Sequence, residues 1–77
     1  MFTPVWVTAS TFMAVENIDV VEPVFEQRGG HIVRDHNGQP VIIGSIVVTK
    51  GGQQVQTEIA PAGILAEIRM AIAEANR

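Results

Sequence analysis

The 77-residue chain contains no cysteine. Neither a disulfide nor a thiolate zinc site can therefore staple it, although a chain this short buries only about 60% of the surface it exposes when unfolded. Charge is also scarce: Asp, Glu, Lys and Arg make up 17% of the residues, against about 25% in ordinary globular domains. No stretch approaches the ~20 apolar residues of a membrane span. The start lacks the basic segment of a secretory signal, and Thr3, Thr8, Ser10 and Thr11 interrupt its apolar run. There is no internal repeat, low-complexity tract or linker. These absences predict one small domain over residues 1–77, soluble and cytoplasmic, or in the host cytoplasm if virus-encoded.

What is present is apolar. Hydrophobic residues are 47% of the chain, before its 7 glycines are added. That composition excludes a disordered chain and is high for a small solitary monomer. The net charge of −3 is unevenly spread. Residues 1–27 carry Glu16, Asp19, Glu22 and Glu26 and no base, while Arg28, Arg34 and Lys50 fall in the middle, against Asp35. An acidic chain is a poor candidate for nucleic acid, which calls for a basic footprint. Only the middle segment offers one.

The element pattern predicts an α+β fold: an antiparallel sheet of four to six strands in a meander, with one C-terminal helix packed on one face. Strands are expected near 4–9 and 11–15, where Val, Trp, Thr and Phe dominate. A further run, 18–21, meets Pro23, which marks an edge or a break. Residues 31–36 and 41–49 flank Asn37-Gly38, the signature of a two-residue type I′ hairpin. The second of these runs is apolar on both faces, as a central strand is, and its Gly44 points to a bulge or a close backbone approach. After Lys50-Gly51-Gly52, residues 53–60 alternate, with Val55, Thr57 and Ile59 on one side and Gln54, Gln56 and Glu58 on the other. Pro61 suits the first turn of a helix. Ile64, Leu65, Ile68, Ala71, Ile72 and Ala75 then form one stripe.

Two-residue loops at Asn37-Gly38 and Gly51-Gly52 set a register. Val48 falls opposite Val55, Ile46 opposite Thr57, Ile42 opposite Val33, and Gly44 between His31 and Ile59. The face carrying Val33, Ile42, Ile46, Val48, Val55 and Ile59 becomes the seat of the helix. The other face carries Ile32, Val41, Ile43 and Val47, an apolar cluster the helix cannot reach. Either the N-terminal strands or another chain covers it, since contiguous apolar patches mark partner sites. With Trp6, which with Phe2 and Phe12 is either core or an interface anchor, this cluster is the expected protein interface. On the far side of the helix Ala66, Met70 and Ala73 give thin polar cover.

Reactive chemistry is sparse. On one strand His31 and His36 point to opposite faces, and His31 and Asp35 lie about 13 Å apart, so they cannot share a metal. Ser10 and Ser45 lack a nucleophile elbow. The expectation is a non-enzyme with no metal and no cofactor. Arg28-Gly29-Gly30 and Lys50-Gly51-Gly52 can present main-chain N–H groups beside a cation, without phosphate-loop spacing. The acidic residues near the start read as a solvated edge that discourages aggregation, or as an acidic surface for a basic partner.

From Ser45 to Ile72 the chain reads strand, glycine turn, strand, Pro/Ala, helix. In outline this is similar to small bacterial regulators of the FlbD and RemA type. The likeness covers about a third of the chain and assigns no functional residue. The expectation is a non-enzymatic protein-interaction or regulatory module, homo-oligomeric (a homodimer at the least), of a size that suits a phage or mobile-element inhibitor. The alternative is a small nucleic-acid- or anion-binding regulator using Arg28, Arg34 and Lys50.

Overall fold

The computed structural model describes residues 3–76; Phe2 lies outside the described residues. Strands β1 (Pro4–Trp6) and β2 (Phe12–Ala14) form a ribbon, followed by a 3-10 turn at Val15–Asn17. Strand β3 (Ile18–Phe25) leads into a second ribbon, β4 (Gln27–Arg28) and β5 (His31–Ile32). Strands β6 (Ile42–Thr49) and β7 (Gln54–Thr57) precede helix α1 (Pro61–Ala75). All pairing is antiparallel, and the class is α+β with the helix C-terminal, as the pattern implies. The strands do not form one meander. They divide into a three-stranded sheet, ordered β3-β6-β7, and two ribbons.

The turns have a different form from the one the dipeptides suggest, and the register changes with them. A type I′ turn needs positive φ at both central residues, and only Gly29-Gly30 provides it, at 57° and 81°. At the other two turns a single glycine takes positive φ: Gly38 at 79° and Gly52 at 85°. Gly38 N–H donates to Asp35 O at 3.0 Å, and Gly52 N–H donates to Thr49 O at 2.9 Å. Both are type I turns closed by a left-handed glycine, the three-residue hairpin loop. Their first residues brace them. Asp35 Oδ1 accepts from Asn37 N at 2.9 Å and Gln39 N at 3.0 Å, and Thr49 Oγ1 accepts from Gln53 N at 3.1 Å. Aspartate at the first position and glycine at the fourth suit this turn.

One extra loop residue slips the pairing by one. Ser45 pairs with Thr57, Ile46 with Gln56, Val47 with Val55 and Val48 with Gln54. A one-residue slip turns every side chain to the opposite face. Val47 therefore points inward, while Ile46 and Val48, expected beneath the helix, point away from the core. Pairing of β3 with β6 shifts twice, around Asp19 and around Ile43. Gly44 meets its second expectation, a close approach: a Cβ there would run into the Thr57 carbonyl. It pairs with Val24, not with His31. His31 pairs with Arg28 and is exposed.

The core joins three layers. Val5 and Val7 from the first ribbon, Val47 from the sheet and Ile64 from the helix are fully buried. Met13, Val15, Ile18, Val21, Val55, Ile59, Ile68 and Ala71 pack around them. Each fully buried aliphatic side chain contributes about 1.5–3 kcal/mol. Ser45 is buried beside Val47, and its Oγ donates to Ile59 O at 2.7 Å. That bond ties β6 to the segment entering the helix. Pro61 opens α1, and Ala60 provides no side-chain cap. The first turn holds no acid and the last turn no base, so the helix gains little from capping or dipole terms and depends on its packed stripe.

The molecule is long for its mass. It measures 45 × 25 × 20 Å with a radius of gyration of 14.1 Å, against about 11.5 Å for a compact chain of this length. Its accessible surface is 5475 Å², against about 4600 Å² for a compact monomer of 8.3 kDa.

Candidate protein-interaction surface

Of the sequence-predicted interface residues Trp6, Ile43 and Ile32 are exposed, Val41 is half-buried and Val47 is buried. Trp6 on β1 is 50% exposed and pairs with Phe12 across the ribbon, ring centroids 5.0 Å apart and tilted by 57°. The alternation of β1 sends Val5 and Val7 inward and leaves the two rings on the outer side. Ile43, 50% exposed, sits where the β3–β6 pairing slips, next to the exposed Ile42. Ile32 on β5 is 42% exposed. Val41 is half-buried, and its main chain is engaged on both sides: its N–H donates to Val33 O and its carbonyl accepts from Glu26 N, each at 2.9 Å. Val47 is 0% exposed and belongs to the core, so its placement in the outer cluster is corrected. The cause is the loop geometry described above.

Ile42, which a two-residue loop would set under the helix, is exposed. It pairs with Phe25 beyond the slip at Ile43, at the end of β6 away from Val47 and the core, and Gly44, a residue that marks bulges and close approaches, is the signal in the sequence. Leu65 and Ile72, at the edge of the helical stripe, are likewise exposed.

The candidate anion residues do not converge. Arg28 pairs with Glu26 at 3.4 Å, and Arg34 Nη1 donates to Gly38 O at 2.9 Å. Lys50 lies in the β6–β7 turn, at the end of the eight-residue strand β6 remote from that ribbon, a span of about 23 Å. Glu16, Asp19 and Glu22 are exposed on the 3-10 turn and on β3, an edge of the sheet. Among the described residues no three His, Asp or Glu side chains gather in a metal-binding group, and no helix is long and apolar enough to cross a membrane.

Two open clefts share the segment Gln56–Glu58. One, of about 640 Å³, has Val24, Ile43 and Gly44 as its other wall. The second, of about 500 Å³, is completed by Thr8, Ala9 and Ile59. Ile43 brings an exposed apolar group to the rim of the first cleft. Neither cleft contains a paired nucleophile and base. No protein-family model, no curated protein and no solved structure matches this chain.

Proposed function

We propose that this protein is a non-catalytic interaction module that binds protein, including its own copies, through uncovered apolar side chains. One observation carries the reading. Among the described residues, nine large hydrophobics, Trp6, Phe12, Ile32 and Ile43 among them, are at least 42% exposed, while only four hydrophobics are buried. Single exposed apolar residues are ordinary, but grouped ones mark interaction sites. The surface beyond that of a compact monomer, roughly 900 Å², is close to the ~800 Å² that one partner contributes to a standard interface. A regulator or inhibitor in the cytoplasm, with protein as its partner, is the role such a module fits. The local bonds of Arg28 and Arg34 weigh against phosphate binding.

The test is association measured across salt. Sedimentation at micromolar concentration is expected to show a dimer or larger species that changes little between about 50 and 200 mM salt. Ile43→Lys is expected to weaken association while the circular dichroism spectrum stays unchanged, since half of the side chain already meets solvent. A steep loss of binding with salt, or full association by Ile43→Lys, overturns the reading.

A further inference from the structure

We propose that the free edge of β7 is a strand-pairing site for β7 of a second copy. This inference rests on the self-binding part of the function above and gives it a main-chain edge, distinct from the apolar side chains that Ile43→Lys tests. The two edges of the sheet are built differently. Edge strand β3 carries Asp19 at a register shift, Glu22 and Pro23, which are the devices that block edge-to-edge pairing. On the other side, residues 51–57 contain neither charge nor proline. Alternation fixes which main-chain groups are free. Thr49 N–H donates to Gln53 O at 2.8 Å, so Thr49 and Gln53 form a hydrogen-bonded pair. Val47–Val55 and Ser45–Thr57 then follow as hydrogen-bonded pairs. Gln54 and Gln56 direct their N–H and C=O away from β6, toward solvent.

The charges around this neutral run select the occupant. Lys50 lies at one end and Glu58 at the other; both are exposed, and among the described residues neither forms an ion pair. Antiparallel pairing about Val55 sets Gln54 against Gln56 of the second copy, closing four main-chain hydrogen bonds. The same operation lays the turn that carries Lys50 in each copy beside the end of β7 that carries Glu58 in the other, so opposite charges face each other at both ends of the pairing. A contact of this kind is isologous, as a two-fold dimer requires. It also lets a chain of net charge −3 meet itself without opposing its acidic edge.

Sedimentation equilibrium on the full chain tests the pairing. Gln56→Pro removes one outward N–H per copy and no bond of the β6–β7 ladder, so proline is tolerated there. The dimer is expected to weaken roughly ten- to a hundredfold with the circular dichroism spectrum unchanged. Lys50→Glu and Glu58→Lys, which touch no buried group, are each expected to dimerise about two- to tenfold more weakly alone and to regain wild-type affinity when mixed with each other. A dimer indifferent to Gln56→Pro, or mixed variants that pair no better than each alone, overturns the β7 site; loss of that dimer in Ile43→Lys would still leave the apolar reading standing. A wild-type chain monomeric at micromolar concentration overturns self-pairing altogether and leaves an extended segment of another protein as the candidate occupant.

Discussion

Two adjacent residues in β6 hold the small core in place by opposite means. Gly44 has no Cβ, and the Thr57 carbonyl and Glu58 backbone occupy the space one would fill. Ser45 uses its hydroxyl to satisfy the carbonyl of Ile59, which otherwise lies beside apolar groups. Both bring the segment after β7 close to β6 and so aim the chain into α1. Gly44→Ala is expected to cost about 1–3 kcal/mol, because a backbone atom rather than a flexible side chain must move. Ser45→Ala is expected to cost a similar ~1–3 kcal/mol by leaving the Ile59 carbonyl without its donor. Urea denaturation measures both. If Gly44→Ala melts like wild type, the close approach of β7 is wrong. Ile64→Ala belongs to a heavier class. It empties a fully buried site that joins helix, sheet and ribbon, at about 2–5 kcal/mol, a large share of the stability a small domain has.

The elements themselves were mostly legible, whereas their phase was not. Pro61 and the stripe through Ile64, Ile68 and Ala71 mark α1. The run before Thr49, apolar on both faces save for Gly44-Ser45, marks a central strand, and Val55 with Thr57 marks the inner face of β7. The face assignment of β6 failed because Asn-Gly and Gly-Gly suggest two-residue loops, and loop length sets register. The corrective signal was in the sequence: Asp35 and Gly38, like Thr49 and Gly52, stand three apart, the spacing of a type I turn with a side-chain acceptor at its first position. Reading those pairs puts Val47 in the core and Ile46 outside. The separation of the strands into one sheet and two ribbons had no local marker, since it depends on the pairing slips at Asp19 and Ile43. The register has a direct observable. Ile46–Gln56 is a non-hydrogen-bonded antiparallel pair, in which the α-carbons approach about 4.5 Å. A strong nuclear Overhauser effect between their α-protons is expected, with none between the α-protons of Val47 and Gln56, the close pair of a two-residue loop. The reverse pattern would restore the two-residue loop and return Val47 to the outer face.

At the scale of the whole molecule, a small core and a large, elongated surface have one cause: the chain spends its apolar residues on both sides of its strands. The first ribbon shows this most plainly, sending Val5 and Val7 inward and Trp6 and Phe12 outward. Trp6 is the chain's single tryptophan, so its fluorescence reports this ribbon alone. With half of the side chain in solvent, the dilute protein is expected to emit at long wavelength and to be quenched readily by acrylamide. Association that covers the ribbon shifts emission to the blue and lowers quenching; association confined to the β7 edge leaves both unchanged while sedimentation registers the dimer. Trp6→Ala separates packing from binding. Because the ring rests on Phe12 rather than in the core and is half exposed, the substitution is expected to cost about 1–3 kcal/mol of stability, the aromatic pair together with the covered half of the ring. Where the ribbon is part of the interface, the same change is expected to weaken binding by at least about tenfold, as loss of a tryptophan anchor does. A Trp6→Ala chain that loses several kcal/mol would place the ring in the folding core and withdraw the ribbon from the binding surface.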